Sequence, residues 1–158
     1  GENCVSAGEQ LSICSKYLSR CSICIEKLMK NKVEIQSELE RAEKALSAAK
    51  ILFDSTLYED SISRCYYCIL HAAKAVLLIH GIRVESHDAV KRLFGREMIK
   101  SGLIENEYAI ILREEQDERL LADYDVTYAP DKELIEERIA DAERFIRRME
   151  QYVASNKM

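Results

Sequence analysis

Four polar side chains recur at helical spacing in the middle of the chain, and their types suit phosphate chemistry. They are Arg64, Tyr67, His71 and Lys74. Separations of three, four and seven residues return to one side of an α-helix, so the four side chains share a face. An imidazole there can act as a general acid or base, and a guanidinium can stabilise charge on phosphate oxygens. The pattern indicates a candidate phosphodiester site in which His71 supplies the imidazole.

The same spacing is also compatible with a structural role. In that alternative Arg64 pairs with a carboxylate on a neighbouring helix, and His71 is a partly buried histidine with satisfied hydrogen bonds. Spacing alone favours this structural alternative. Apolar side chains form a second stripe about 200° away around the helix, and this stripe predicts the face that packs in the core: Ile62, Tyr66, Ile69, Ala73 and Val76.

A second constellation is the segment RLLADYD, residues 119–125. Arg119 and Asp123 are four residues apart and can therefore pair along one helical face. Tyr124 is apolar enough to dock against a partner and polar enough to form a hydrogen bond. The alternative is an intrahelical ion pair worth only about 0.3 to 0.5 kcal/mol when exposed, and spacing alone again favours it.

A third group of candidates lies on a predicted short helix for which Ser86 is a suitable N-cap. His87 follows the cap directly, and basic side chains then step along one face of the helix: Arg92, Arg96 and Lys100. This face is a candidate ridge for contacting phosphates. A solvated surface is the favoured alternative, because nearby acidic residues dilute the positive charge: Glu85, Asp88 and Glu97.

The six cysteines include two CxxC pairs, Cys21/Cys24 and Cys65/Cys68. Such pairs can form a zinc knuckle, but both lie within segments of helical periodicity and lack surrounding turn residues. Helix cores accept cysteine as a small hydrophobic residue. The sequence therefore favours buried thiols and predicts no metal site.

The composition predicts an all-α protein. Of 158 residues, 47% are hydrophobic and 32% are charged, a balance that argues against disorder. One proline and five glycines leave little turn chemistry for a β protein. A net charge of −5 argues against broad DNA binding, which needs a cationic surface.

Familiar catalytic and targeting motifs are missing from the sequence. It contains no Gly-rich phosphate loop, HExxH, GxSxG or kinase signature, and it predicts no cofactor. No apolar run approaches the roughly 20 residues of a membrane span, and the start of the chain lacks a signal-peptide pattern. We therefore expect a cytoplasmic protein that does not bind a membrane.

Helical periodicity elsewhere predicts the elements that must position these residues. Apolar stripes over residues 11–28 and 39–53 precede the central helix, and the first places Cys14 and Cys21 in a helix seam. These stripes are compatible with one helix or with a break around residues 30–32. Residues suited to ending or starting helices separate the later elements: Gly81, Gly102 and Pro130.

Three segments together resemble the HEPN family of small helical proteins, in its compact bacterial and archaeal branch. They are YEDSISRCYYCILHAAKAVLLIHG, ESHDAV and RLLADYD, which begin at Tyr58, Glu85 and Arg119. The YY-x3-HAAKA-x-L stretch, the Ser-His pair and the R-x3-DY element occur in the family's order and approximate spacing. The resemblance covers about residues 33–158. We accordingly divide the chain into an N-terminal helical extension, residues 1–30, and a HEPN-like bundle, residues 31–158.

The resemblance implies an up-and-down bundle of about five helices, to which residues 1–30 add an N-terminal helix. It also implies a homodimer, often partnered with a minimal nucleotidyltransferase. Several HEPN members are RNA-cleaving toxins whose metal-independent activity uses an Arg and a following His, with about four to six residues between them. Arg64 and His71, with six residues between them, have that separation here. Arg119 occupies the later position that the family's Arg usually has, but no His follows it, and Asp123 and Tyr124 stand nearest.

Two functions from different classes remain open. In the first, the chain is a HEPN-type module of a toxin–antitoxin or other nucleotidyltransferase-linked system, and acts on RNA as an endoribonuclease or binds a nucleotide. Its candidate catalytic residues are Arg119, Asp123, Tyr124, Arg64 and His71, and its candidate RNA or nucleotide contacts are Tyr67, Lys74, His87, Arg92 and Arg96. In the second, the same polar faces form a non-catalytic dimer seam or partner-binding surface.

Overall fold

The regular structure of the chain is helical. A computed structural model describes residues 7–156, with side chains from residue 22 onward, and contains no strand in that range. The helices are α1 (Ala7–Asp54), α2 (Tyr58–Ile79), α3 (His87–Leu93), α4 (Asn106–Tyr124) and α5 (Lys132–Ser155). A π-helical segment, Phe94–Ile99, directly follows α3. The prediction of an all-α helical bundle is confirmed.

The chain divides into two compact units, residues 1–33 and residues 34–158. Helix α1 has no break around residues 30–32, so the N-terminal helix expected over residues 1–30 is not a separate element. In the first unit, the apolar side chains of Ile25 and Leu28 are exposed. The other predicted seam residues have side chains outside the described residues: Leu11, Cys14, Leu18 and Cys21.

Helix α2 is the central helix of the second unit and packs against both α4 and α5. The predicted core stripe on α2 is buried, from Ile62 to Val76. Helix α2 is long and apolar enough to cross a membrane, with a mean hydropathy of 1.4, but 67% of that stretch is buried inside the protein. Its apolar character is therefore that of a core helix. The helix ends before Gly81, whose φ of +71° lies in the left-handed region that favours glycine.

Side-chain caps fix where the later helices begin. The Ser86 hydroxyl accepts a hydrogen bond from the backbone N–H of Ala89 at 3.2 Å, which confirms the predicted N-cap of α3. Asp131 caps α5 in the same way by accepting from the backbone N–H of Leu134 at 2.9 Å. The last helix therefore starts immediately after Pro130, close to the predicted point.

The core holds the polar face of α2 in place beside α3 and α4. Aromatic rings anchor the other side of the bundle, where Phe145 of α5 lies 5.6 Å from Phe94 and 5.8 Å from Tyr108 between ring centroids. Four helices, α1, α2, α4 and α5, each contribute several side chains to the core, whereas α3 contributes only Val90. The core side chains of those four helices include Leu39, Ala42, Ile69, Val76, Leu112, Ile146 and Met149. Because α2 is packed on so much of its surface, its remaining polar face has a fixed orientation.

Candidate functional site

Arg119 lies against two neighbouring tyrosines of the central helix. Its guanidinium carbon is 5.7 Å from the ring centroid of Tyr66 and 5.9 Å from that of Tyr67. Tyr66 is buried and Tyr67 is half-buried, so the two rings form a fixed aromatic wall under the cation. A guanidinium at this distance from an aromatic face is stabilised by the ring quadrupole. The packing of α4 on α2 therefore brings Arg119, from the segment RLLADYD, onto the polar face of α2.

A hydrogen-bonded carboxylate orients Arg119. The Nε of Arg119 is 2.8 Å from Oδ2 of Asp123, which lies one helical turn later. The contact is an ion pair, because Nε does not have the geometry of a hydrogen bond. Ser63 of α2 donates a hydrogen bond to the other oxygen of Asp123 at 2.9 Å. The predicted pairing of Arg119 with Asp123 is confirmed, whereas sequence reasoning missed Ser63. Within the described part of the chain, Asp123 is the one carboxylate that pairs with Arg119, which leaves the outer guanidinium nitrogens available for a ligand.

His87 is the histidine that shares the aromatic wall with Arg119. It is the first residue of α3, and its ring centroid is 5.6 Å from that of Tyr66 and 6.0 Å from that of Tyr67. Burial lowers the pKa of His87 below its usual 6.5, and the positive charges of Arg119 and Lys74 lower it further. The imidazole is therefore mostly neutral at pH 7 and can accept a proton.

His71 has a different environment. Its Nδ1 is 2.6 Å from Oε2 of Glu38 on α1. Burial raises the pKa of Glu38, but the hydrogen bond and the positive charges of His71, Lys74 and Arg41 outweigh burial, and the net pKa is lowered. The carboxylate thus stays ionised beside His71. This is the satisfied, partly buried histidine of the structural alternative, and His87 rather than His71 is the imidazole beside the rings that Arg119 contacts.

The remaining predicted residues of the central face occupy the rim of the site. Arg64 is exposed, and its guanidinium carbon lies 4.7 Å from the ring centroid of Tyr67. In the described residues no carboxylate pairs with Arg64, so the expected structural ion pair is not formed. Lys74 is half-buried one turn beyond His71 and contributes charge to the site.

Tyr124, the last residue of α4, is 76% exposed and is not among the rings stacked at the site.

Comparison with known proteins identifies the family to which this arrangement belongs. The model of the HEPN domain family matches residues 35–152. The chain belongs to the HEPN family. A protein of Methanocaldococcus jannaschii that is provisionally named a toxin is 42% identical over 116 residues, which cover 73% of this chain and 86% of the relative.

Other HEPN-like relatives match over similar lengths. A second M. jannaschii protein with a provisional toxin name is 31% identical over 130 residues, or 82% of this chain and 88% of the relative. A UPF0332 protein of Archaeoglobus fulgidus is 31% identical over 124 residues, or 78% of this chain and 98% of the relative. The family and the names of these relatives together support a toxin-like HEPN module.

The basic residues of the short helix do not join the Arg119 cluster. Arg92 and Arg96 are exposed on α3 and the π-helical segment, where they line a separate cavity. Of the predicted RNA or nucleotide contacts, Tyr67 lies beside Arg119, and His87 contacts the same ring. Lys74 is close enough to His87 to lower its pKa, whereas Arg92 and Arg96 lie elsewhere.

The described cysteines of the bundle are core residues. Cys65 and Cys68 lie on α2, are fully buried and carry free thiols. Burial raises the pKa of both thiols, that of Cys68 to about 12. Among the described residues no group of three histidine, cysteine or acidic side chains could hold a metal ion. Of the other CxxC pair, Cys24 is an exposed free thiol and the side chain of Cys21 lies outside the described residues.

Proposed function

We propose that this HEPN chain binds and cleaves RNA as the toxin-like module of a toxin–antitoxin system, with a minimal nucleotidyltransferase as its partner. Family membership and the toxin names of its relatives support the general role. The observation that carries the RNA chemistry is the placement of Arg119 and His87 against the same two tyrosine rings. That placement supports the proposal because it brings a cation and a neutral imidazole to the same pair of rings.

The geometry supports a metal-independent transesterification. Arg119, held by Asp123, would bind the scissile phosphate through its outer nitrogens and stabilise the charge of the phosphorane. His87 would take the proton from the adjacent 2′-hydroxyl, whose oxygen attacks phosphorus to form a 2′,3′-cyclic phosphate. The P–O5′ bond breaks, and the leaving 5′-oxygen takes a proton from the resulting imidazolium, which restores neutral His87. The Arg64 guanidinium over Tyr67 offers a flat surface on which a flanking base can stack. In this proposal His71 holds Glu38 in place and does not transfer the proton.

A ribonuclease assay in EDTA tests this assignment. We expect His87→Ala to lower the cleavage rate by about 10²-fold or more, the usual range for loss of a general base, and Arg119→Ala by about 10²- to 10³-fold. His80→Ala is the matched control, because His80 contacts Tyr152 at 2.8 Å rather than the tyrosine pair. His71→Ala should retain most activity. Equal rates in wild type, His87→Ala and Arg119→Ala would remove both residues from the mechanism.

A non-catalytic interaction module is the second candidate function, and a specific surface favours it. Apolar side chains at the end of α4 and just beyond it are exposed to solvent: Leu120, Leu121, Tyr124 and Val126. Exposed apolar side chains that are close together in the sequence can mark a protein interface when they form one patch. Under this alternative the patch forms the homodimer or partner interface, and Arg119 serves to rigidify α4 beside it. A wild-type dimer that neither binds nor cleaves RNA would support this alternative.

A further inference from the structure

A basic cavity lies on α3 and the π-helical segment. Its volume is about 450 Å³, and four cationic residues line it: Lys91, Arg92, Arg96 and Lys100. Gly95 and Asn106, the first residue of α4, also line the cavity, and no acidic residue of the described chain does. The arrangement concentrates positive charge in a protein whose net charge is −5.

Most of this charge is uncompensated. In the described part of the chain no ion pair involves Lys91, Arg92 or Lys100, and Arg96 alone is paired, through Nε to Glu97 at 2.6 Å. Asp88 does not line the cavity, and it accepts a hydrogen bond from Gln116 at 3.2 Å. A concave surface lined by one sign of charge focuses its field and raises the local concentration of counter-ions.

The backbone keeps the cavity open. The π-helical turn is a rare departure from α-helix that often occurs at functional sites. Gly95 lies within this turn, and a Cβ added there would meet nothing within 4 Å. The space beside the four cations is therefore accessible to a ligand.

The cavity is separate from the Arg119 site, but both have residues on α3 and α4. Asn106 and Arg119 lie at opposite ends of α4, about 20 Å apart along the helix axis. One phosphate cannot contact both Arg119 and the Asn106 end of the cavity, whereas several nucleotides of one strand can span them. Helix α3 links the two, because His87 begins it at the aromatic wall and Lys91 and Arg92 follow one turn later.

We propose that this cavity binds the phosphate backbone of single-stranded RNA whose scissile phosphodiester lies at Arg119, an inference that rests on the proposed function. Cationic grooves that track the backbone are the usual means of holding a single strand without reading its sequence. The cavity fixes the register of the strand, and the Arg119 site performs the chemistry.

Salt-dependent RNA binding tests the inference. The probe is a short fluorescein-labelled oligouridine, and its Kd for full-length wild type and Arg92→Ala/Lys100→Ala is measured by anisotropy over a series of NaCl concentrations. Each lost phosphate contact reduces the slope of log K against log salt by about 0.7 for single strands. We expect weaker binding and a slope reduced by about 1.4 in the double variant, from this same relation.

The control is Lys50→Ala/Lys132→Ala, which removes the same charge from exposed lysines that pair with Glu143 and Glu136. Its salt slope should match wild type. Equal slopes in the cavity and control variants would overturn the cavity inference while leaving the Arg119 site intact. Conversely, loss of binding in the cavity variant with no cleavage by wild type would preserve the cavity and overturn the proposed catalysis.

A second pair of variants separates charge from shape. Gly95→Glu places a carboxylate in the cavity, and Gly95→Gln places a neutral side chain of the same size there. We expect Gly95→Glu to weaken oligouridine binding well beyond Gly95→Gln, with the gap closing at high salt. Equal affinities for the two variants at low salt would contradict a phosphate site. Circular dichroism checks that both variants remain helical.

Discussion

At the scale of single residues, Arg119 determines the electrostatics of the site. Its charge is balanced on one side by Asp123, which Ser63 holds in place, and its guanidinium lies over Tyr66 and Tyr67. Because His87 contacts the same rings, the cation disfavours protonation of the imidazole. Burial is the largest cause of the lowered pKa of His87, and the positive charge of Arg119 adds to it.

Replacing Arg119 should therefore change the titration of His87. We expect Arg119→Ala to raise the pKa of His87, because a positive charge that lowers it is removed. NMR of the imidazole protons measures the shift, with Arg92→Ala as a control that leaves the aromatic wall untouched. A His87 pKa that is identical in wild type and Arg119→Ala would contradict the arrangement.

The same linkage predicts how stability depends on pH. The folded pKa of His87 lies below the usual 6.5, so the unfolded chain binds more protons as the pH falls below that value. The contribution of His87 to the free energy of unfolding is complete above pH 6.5 and decreases on acidification. Arg119→Ala should make this decrease smaller.

Residue-level pattern reasoning succeeded where the partners are close in sequence. Arg119 and Asp123 are one helical turn apart, and the pairing was predictable from spacing. The contacts of His87 with Tyr66 and Tyr67, and of Ser63 with Asp123, depend on packing between helices. No local pattern encodes such distances, so helical spacing could predict His71 as the imidazole of the site but could not place His87 on the rings that Arg119 contacts.

At the scale of elements, α4 carries an unusual buried charge. Glu115 is fully buried, and neither of its carboxylate oxygens has a hydrogen-bond partner in the described structure. The nearest cation is Arg138 of α5, whose Nε is 3.8 Å away. Burial raises the pKa of Glu115 well above its usual range, and the attraction of Arg138 only partly offsets this effect. The pair joins α4 to α5, and burial disfavours the ionised form of Glu115.

Substitutions on either side of this pair should have unequal effects. We expect Glu115→Gln to change the free energy of unfolding by about 1 kcal/mol or less, because the amide keeps the shape and removes the buried charge. Arg138→Met should lower the free energy of unfolding by about 3 to 5 kcal/mol, because four acidic side chains then lose their shared cation. These side chains are Glu114, Glu115, Glu137 and Asp141. Urea unfolding measures both, and a larger loss in Glu115→Gln would contradict the account.

The pH dependence of that comparison has a definite sign. A folded pKa raised above the unfolded value stabilises the protein at low pH, and the contribution disappears as the pH rises through the folded pKa. The advantage of Glu115→Gln over wild type should therefore be larger at neutral pH than near pH 4.5.

Element boundaries were predictable where periodicity and caps agree. The buried stripe of α2, the Ser86 cap of α3 and the left-handed Gly81 all follow from the sequence. The burial of Glu115 in a segment as charged as REEQDER does not, because it depends on which helix packs against that turn. The π-helical segment is also invisible to α-helical periodicity.

At the scale of the whole molecule, the exposed apolar residues at the end of α4 are a candidate surface for the proposed self-association. Val126 is fully exposed and Tyr124 is nearly so, beside the partly exposed Leu120 and Leu121. We expect Val126→Asp to shift the chain from dimer toward monomer in size-exclusion chromatography with light scattering. Ile51→Asp is the control, since Ile51 is an exposed apolar residue of α1 outside the patch. A dimer that tolerates Val126→Asp but not Ile51→Asp would place the interface elsewhere.

At this scale the sequence alone predicted the all-α class from its composition and helical periodicity. It predicted the HEPN family because several weak motifs occur in the right order along one chain. The homodimer, the nucleotidyltransferase partner, the RNA substrate and the cytoplasmic location remain predictions. Each depends on surfaces or molecules beyond a single chain, and a residue pattern encodes those only indirectly.

The most direct test of the central claim is a titration of the His87 imidazole with RNA. If Arg119 and His87 share a phosphate site, saturating oligouridine brings negative charge beside the ring, which should raise the pKa of His87 in wild type but not in Arg119→Ala. The imidazole of His80, which contacts Tyr152, should not respond. A His87 resonance that titrates identically with and without bound RNA would contradict the claim.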